Sequence, residues 1–183
     1  MRNKIYRYAL FICIFVLSMA LFSGCSKTLY SGKWSYIHDD STVALDISGG
    51  KATLDGVKCT VKENGDILEL SGDGGEYFEV GPSDTEGQII LYKYSEYTYQ
   101  GEGNPESLVG VWISDEGWQF EFTDDGTFKE DGYFPGYYTD NVEGSNFKLV
   151  YNDHFVDTVC GYVIDGDTLT VRYPWPMVST ISK

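Results

Sequence analysis

Short runs of alternating apolar and polar residues, each ending in Gly, Asn or Asp, recur along most of this sequence. Residues 43–47 alternate up to a Gly-Gly pair at 49–50, and residues 57–62 alternate up to an Asn-Gly pair at 64–65. Alternation with a period of two puts one face of a strand in the core, and tight hairpin turns need the positive φ that Gly and Asn tolerate. No long helical spacing of apolar residues follows residue 24. The pattern predicts an all-β protein, built as an antiparallel meander.

The first 24 residues have a different character. Three cations and no acid accompany an apolar run over residues 9–22, which is shorter than the roughly 20 residues of a membrane-spanning helix. A positive start followed by a short apolar run is typical of a signal peptide. An ordinary signal peptide, cut at a small residue, and a retained N-terminal helix are the alternatives to the more specific interpretation that follows.

The apolar run closes with Leu-Phe-Ser-Gly-Cys at residues 21–25. This sequence resembles the lipobox of bacterial lipoproteins, although Phe22 stands where that pattern prefers leucine. The resemblance implies that residues 1–24 are removed as a signal peptide. It also implies that Cys25 carries a diacylglycerol, with or without a further acyl chain such as palmitate, and that residues 25–31 form a tether. Two or more acyl chains are enough for stable anchoring.

Charge limits the partners of the exported part. Loss of residues 1–24 changes the formal net charge from −15 to −18. A field of that sign repels nucleic acids and other polyanions, so we expect no nucleic-acid partner. About 159 residues remain, with 42% hydrophobic composition over the whole sequence, which is enough to form one domain or two small ones with a packed core.

Residues 101–107 contain Gly and Pro without periodicity and divide the mature chain into two predicted β-domains, 32–100 and 108–183. A repeat spans this boundary, because Gly-Lys-Trp at 32–34 matches Gly-Val-Trp at 110–112.

A second match joins the hairpin that begins at Cys59 to the one that begins at Cys160. The two matches are offset by 78 and 101 residues, so the second half is predicted to contain about 23 extra residues, forming an added hairpin that carries Tyr133 to Tyr138. Chance similarity between hairpins with Asn-Gly and Asp-Gly turns is the alternative.

The second half carries a family resemblance. Its Gly-Val-Trp at 110–112, Phe-Glu-Phe-Thr-Asp-Asp-Gly-Thr-Phe at 120–128 and Ile-Asp-Gly-Asp-Thr-Leu-Thr-Val at 164–171 are similar to uncharacterised lipocalin-like domains of bacterial surface lipoproteins. The first half lacks the Asp-Gly-Thr-Phe element and resembles a degenerate copy. The resemblance implies one or two small barrels or half-barrels, each with a tryptophan (Trp34, Trp112) plugging one end. It implies no reaction.

Cys59 and Cys160 are the cysteines that remain once Cys25 is lipidated and Cys13 is removed with the signal peptide. Both lie in strand-like segments of an exported chain, where a disulfide between them is permitted. Two small buried apolar side chains are the alternative.

Catalytic and metal-binding signatures are weak. His38 and His154 are the only histidines, too few for a zinc site or a Ser-His-Asp triad, so we expect them in surface loops. The acids at 124–126, 130–132 and 165–167 fit hairpin turns better than a calcium loop. We therefore expect no metal site, no catalytic residue and no cofactor beyond the lipid. A hydrolase with two paired carboxylates is the alternative.

Aromatic residues are more abundant than a small core requires. Tyr133, Tyr137 and Tyr138 flank a Pro-Gly pair, and Trp175 lies between two prolines. Proline interrupts a hydrogen-bond ladder, so Trp175 is expected at an edge or in a loop. Exposed aromatic side chains on rigid backbone anchor protein or saccharide ligands, which makes these four residues the candidate binding site. Covering the ends of a small β core is the alternative role.

These observations predict a membrane-anchored, non-enzymatic binding module on the extracytoplasmic face of a bacterial membrane. That membrane is the cell membrane in a host with one membrane, and the outer membrane is an option in a host with two. The alternative function is an acidic surface inhibitor or shield that captures a basic protein such as a cell-wall hydrolase, for which charge complementarity would speed association.

Overall fold

The computed structural model describes residues 28–103, 105–140, 144–153 and 156–180. Within these ranges the chain forms 14 β-strands and no helix, and all strand pairs are antiparallel. The predicted all-β antiparallel meander is confirmed. None of the described segments is a helix with the length and apolar character needed to cross a membrane. Cys25 and His154 lie outside the described residues.

Seven strands precede the segment at 101–107 and seven follow it. The first seven are β1 (Gly32–Tyr36), β2 (Leu45–Ser48), β3 (Lys51–Leu54), β4 (Val57–Asn64), β5 (Ile67–Gly72), β6 (Tyr77–Pro82) and β7 (Gln88–Tyr99). The other seven are β8 (Gly110–Ile113), β9 (Gln119–Phe122), β10 (Thr127–Glu130), β11 (Phe134–Asp140), β12 (Asn146–Tyr151), β13 (Thr158–Asp165) and β14 (Thr168–Ser179).

Hydrogen bonding closes the strands into two barrels that share a pair of strands. Consecutive strands pair from β1 to β7, and the C-terminal end of β14 pairs with β1, which closes the first barrel. Consecutive strands pair in the same way from β8 to β14, and β8 also pairs with the end of β7. Strands β7 and β14 pair with each other along almost their whole length, and we refer to them as the shared ribbon. Each half of the chain therefore supplies seven strands and takes its eighth from the other half.

The shared ribbon relates the two halves by a local pseudo-twofold axis. Its strands are each 12 residues long and have nearly the same sequence of buried and exposed positions. Lys93 is the sixth residue of β7, and it pairs with Tyr173, the sixth residue of β14. Because the sixth residues of the two strands lie opposite each other, a rotation of 180° about an axis through this pair places one strand on the other.

The apolar side chains form two separate cores, one in each barrel. Leu68 and Leu70 of β5 are fully buried in the first, and Phe147 and Leu149 of β12 occupy the same strand position in the second. The alternate residues of these strands are less buried, as a period of two requires.

The two tryptophans of the Gly-x-Trp repeat make the same contact. Trp34 in β1 donates its indole N–H to the carbonyl oxygen of Tyr30 at 2.9 Å, and Trp112 in β8 donates to that of Leu108 at 2.8 Å. Trp112 is fully buried, whereas Trp34 is partly buried against the first core. Each lies in the first strand of its half, so the two Gly-x-Trp segments occupy equivalent positions in the two barrels.

The predicted match between the two cysteine hairpins is wrong. Cys59 lies in the fourth strand of the first half, whereas Cys160 lies in the sixth strand of the second half. The described residues of each half form seven strands, so those of the second half include no added hairpin, and Tyr133 to Tyr138 belong to β11 and the turn before it. The misleading similarity comes from two-residue turns, which place the same Asn-Gly or Asp-Gly signals between unrelated strand pairs.

Cys59 and Cys160 are free thiols, the first buried in the core of the first barrel and the second in that of the other. They have the role of small apolar side chains, which was the alternative to a disulfide. Burial raises the pKa of both thiols above its ordinary value, so both stay protonated and unreactive while the barrels are folded.

Residues 28–31, predicted as part of the tether, pack on the first barrel instead. Thr28 is buried, and its hydroxyl accepts the N–H of Gly50 at 3.0 Å. The N–H of Leu29 donates to the carboxylate of Glu63 at 3.0 Å, and the hydroxyl of Tyr30 donates to the carbonyl oxygen of Asp66. These bonds hold the segment in place because they satisfy its backbone and hydroxyl groups against the β2–β3 and β4–β5 hairpins of the barrel.

Candidate functional site

One face of the shared ribbon connects the two cores. Leu91 and Met177 on this face belong to the first core, and Leu169 belongs to the second. Lys93 and Trp175 occupy alternate positions on the same strands, so they lie on this face between the two cores. We refer to Lys93, Trp175, Tyr173, Tyr36 and Asp55 as the central cluster.

Trp175 lies within a strand rather than in a loop. The part of β14 up to Arg172 pairs with β13, and the part from Met177 onward pairs with β1. Residues 173–176 pair with β7 on one edge, and neither β13 nor β1 pairs with their other edge. The prolines at 174 and 176 therefore lie where β14 passes from one barrel to the other. The backbone N–H that a proline lacks is least costly to lose there.

The central cluster surrounds the ammonium group of Lys93 with aromatic rings and a carboxylate. The Lys93 nitrogen lies 3.5 Å from Asp55 Oδ2, 5.0 Å from the centre of the Tyr36 ring and 5.3 Å from that of Trp175. The Tyr36 hydroxyl donates to Asp55 Oδ2 at 2.8 Å. Burial and this hydrogen bond raise the pKa of Tyr36 well above its ordinary value. Cation–π attraction and the ion pair thus act on one ammonium group.

A carboxyl group points into the second barrel beside the ribbon. The hydroxyl of Tyr151 donates to Glu130 at 2.5 Å and lies 3.4 Å from the hydroxyl of Tyr173. Burial raises the pKa of Glu130 above its ordinary value, against the opposing effect of the Tyr151 hydrogen bond. Glu130 is the last residue of β10, the third strand of its half. The last residue of the third strand of the first half, β3, is Leu54, which is fully buried. The second barrel therefore has a carboxyl where the first has a core leucine.

A depression of about 500 Å³ lies at the rim of the second barrel, between the β8–β9 and β10–β11 turns. We refer to it as the rim pocket. Its aromatic side chains are Trp118, Tyr133 and Phe134, and its acids are Glu116 and Asp131. Trp118 is 57% exposed and Tyr133 is 83% exposed.

Hydrogen bonds fix the turns of the rim pocket. The indole N–H of Trp118 donates to Glu116 Oε2 at 3.0 Å, and the backbone N–H of Trp118 donates to the hydroxyl of Ser114 at 3.0 Å. Asp131 Oδ1 accepts the N–H of Gln119 at 2.8 Å and so ties one turn to the other. The rings are thus presented on ordered backbone, which lowers the entropy lost when a ligand binds.

The four aromatic residues selected from the sequence lie in three places. Tyr133 lies in the rim pocket and Trp175 in the central cluster. Tyr137 is 58% exposed and lines a smaller depression, of about 210 Å³, on the outer face of β9 to β11. Tyr138 packs edge-on against Phe122, with ring centres 4.9 Å apart, and donates its hydroxyl to the carbonyl oxygen of Thr123. It therefore covers the second core.

Sequence reasoning missed Trp118. The available signal for Trp118 was its position after Glu116-Gly117, a turn signature that puts the next residue at the mouth of a hairpin. Gly117 has a φ of 88°, and its N–H donates to the carbonyl oxygen of Ser114.

No metal site is evident among the described residues, where no group of three or more His, Cys, Asp or Glu side chains converges. His38 is exposed in the turn after β1. Asp125, one of the acids considered for calcium, instead accepts hydrogen bonds from the Thr123 hydroxyl and the Thr127 N–H. These bonds lower the pKa of Asp125 and close the β9–β10 hairpin.

No protein-family model matches this sequence, and neither a curated protein nor a solved structure is detectably similar to it. The fold and the surface define an all-β protein of two closed barrels that share a ribbon and carry aromatic side chains at one rim.

Proposed function

We propose that this protein is a lipid-anchored, non-enzymatic binding module on the extracytoplasmic face of a bacterial membrane, and that the rim pocket is its binding surface. The observation that supports the proposal is the pair Trp118 and Tyr133, which expose large rings from turns held by hydrogen bonds. Tyr and Trp supply much contact area with few rotatable bonds, and they are enriched among the residues that dominate binding energy.

The anchor places the barrels close to the membrane. Because Thr28 is already packed on the first barrel, only residues 26 and 27 separate it from Cys25, a distance of three residue steps. An extended chain of that length spans roughly 10 Å. The binding surface would therefore act on ligands in or near the layer next to the membrane.

The capture of a basic protein is a second candidate function, favoured by the two acids of the rim pocket. Glu116 and Asp131 lie beside the rings, and the mature chain carries a formal net charge of −18. Binding by aromatic contact would persist in about 0.5 M salt, whereas capture by the overall field would be lost because salt screens exposed charges.

The test of the binding proposal is a pull-down of host cell envelope proteins and saccharides with the full chain in non-ionic detergent. We expect the retained ligand to be lost with Trp118→Ala and Tyr133→Ala and kept with Tyr137→Ala, which removes an equally large exposed ring elsewhere on the same barrel. Equal retention by all three variants and the native chain would contradict the assignment of the binding surface.

The anchor has its own test. Fatty-acid labelling and membrane fractionation of the native chain and of Cys25→Ala should show label and membrane association only when Cys25 is present. A labelled Cys25→Ala chain would refute the proposed anchor.

A further inference from the structure

From the geometry of the rim pocket we infer that it binds the ammonium group of a lysine side chain presented by a partner polypeptide. The inference rests on the proposed binding function and specifies the chemistry of the ligand. The two barrels supply the comparison that supports it. One wall of the rim pocket is a turn of the second barrel, and the corresponding turn of the first barrel lies beside an ammonium group of the same chain.

The two turns share an Asp-Gly pair, a positive φ at the aspartate and a backbone hydrogen bond, and the turn of the second barrel is one residue longer. Asp55-Gly56 joins β3 to β4, and Asp131-Gly132 follows β10 and leads to β11. Asp55 has a φ of 48° and Asp131 has a φ of 50°, a conformation that few non-glycine residues adopt. The Asp55 N–H donates to the carbonyl oxygen of Ala44 at 2.7 Å, and the Asp131 N–H donates to that of Gln119 at 2.8 Å.

In the first barrel this turn contributes to a complete ammonium site. Asp55 provides the carboxylate, Tyr36 and Trp175 provide ring faces, and Lys93 of the same chain is the bound cation.

In the second barrel the equivalent turn borders an open depression with the same kinds of groups. Asp131 lies there with Glu116, and Trp118 and Tyr133 provide the rings. Among the described residues that line the rim pocket there is no Lys or Arg. A carboxylate and aromatic faces attract a cation, and because no described residue of the rim pocket supplies one, the pocket is open to a cation of another molecule.

The size and position of the rim pocket favour a side chain over a small free amine. A depression of about 500 Å³ is much larger than one ammonium group and has room for the aliphatic stem of a lysine against the rings. Because it is open at the rim of the barrel, a polypeptide can pass over it while one side chain enters. The acidic charge of the chain draws basic segments to that surface.

The test measures the binding of dye-labelled, end-capped hexalysine to the full chain in non-ionic detergent by fluorescence anisotropy. We expect Trp118→Ala and Tyr133→Ala each to weaken binding by about threefold, the strength of a cation–π contact at an exposed site. Asp131→Asn should weaken it by a similar factor, while its amide oxygen still accepts the Gln119 N–H.

Matched variants distinguish binding of hexalysine at the rim pocket from attraction by the overall negative charge of the chain. Tyr137→Ala removes an exposed ring outside the rim pocket, and Asp124→Asn removes one exposed acid from the β9–β10 turn. Both should leave the affinity for hexalysine within twofold. Thermal unfolding of each variant reports whether the barrels remain folded.

Two results would overturn the inference. One is an absence of hexalysine binding. The other is equal weakening by Asp131→Asn and Asp124→Asn, with no effect of the ring substitutions, which would mean that hexalysine senses only the net charge. If either occurs while the envelope ligand still depends on Trp118 and Tyr133, the binding module stands and its ligand is of another chemical class.

Discussion

The shared ribbon predicts that the two barrels unfold as one unit. The perturbation that tests this is the loss of core volume in one barrel only, at a position outside the ribbon. Leu68 in the first core and Leu149 in the second are both fully buried. Truncation of such a leucine to alanine costs about 3 kcal/mol, because it loses apolar burial and leaves a cavity.

The effect of Leu68→Ala should reach the second barrel undiminished. Neither barrel is closed without a strand from the other half, since β14 pairs with β1 and β7 pairs with β8. Opening the first barrel therefore removes part of the hydrogen-bond partners of β14, and this opens the second barrel. A loss of 3 kcal/mol corresponds to a rise of about 100-fold in the unfolded fraction, and this rise should be the same in both barrels.

The two buried thiols provide the assay. Cys59 reports on the first barrel and Cys160 on the second, and each reacts with a thiol reagent only when its barrel opens. Peptide mass spectrometry resolves the two labelling rates. Leu68→Ala and Leu149→Ala should each accelerate the labelling of both cysteines by about the same factor. Acceleration of Cys59 alone by Leu68→Ala would refute the coupling and would support two domains that fold independently.

Two further predictions concern the second barrel. Glu130→Gln keeps an acceptor for Tyr151. Burial raises the pKa of Glu130 in the folded chain, so ionisation of this carboxyl destabilises the fold. The destabilisation is absent below the ordinary glutamate pKa and grows as pH rises through the raised value. The variant should therefore match the native chain in urea unfolding near pH 4 and be more stable at pH 8, and a gap that is constant with pH would contradict this. Gly136→Ala would place a Cβ against the backbone carbonyl oxygen of Val150 and 2.6 Å from the Phe128 ring, and should cost about 1–3 kcal/mol by overpacking. Gly161→Ala, with its nearest neighbours at 3.4 Å, is the matched control, and equal losses in the two variants would rule out overpacking as the cause.

Local signals in the sequence were sufficient for the strands and many turns. The Asn-Gly pair at 64–65 closes the β4–β5 hairpin, and Gly166 lies in the turn between β13 and β14. The closure of two barrels was beyond the reach of such signals. The pairing of β7 with β14 joins residues up to 90 positions apart, from Gln88 to Val178, and turn chemistry specifies only neighbours in sequence.

The candidate site was only partly predictable for a related reason. Tyr137 and Tyr138 were treated alike, yet successive residues of a strand point to opposite faces. Tyr137 is accordingly exposed, and Tyr138 covers Phe122. The pairing of Trp118 with Tyr133 across the rim pocket depends on two turns meeting at one end of a barrel, which follows from the closed sheet.

The pseudo-twofold axis through Lys93 and Tyr173 has a consequence for the origin of the chain. A seven-stranded unit whose last strand completes a neighbour is closed only as a pair, so two identical copies would assemble as a strand-exchanged homodimer. Duplication and fusion of such a unit, joined through 101–107, is the simplest ancestry for this topology. The two halves now differ at equivalent positions, such as Glu130 at the end of β10 and Leu54 at the end of β3, so their cores are no longer identical.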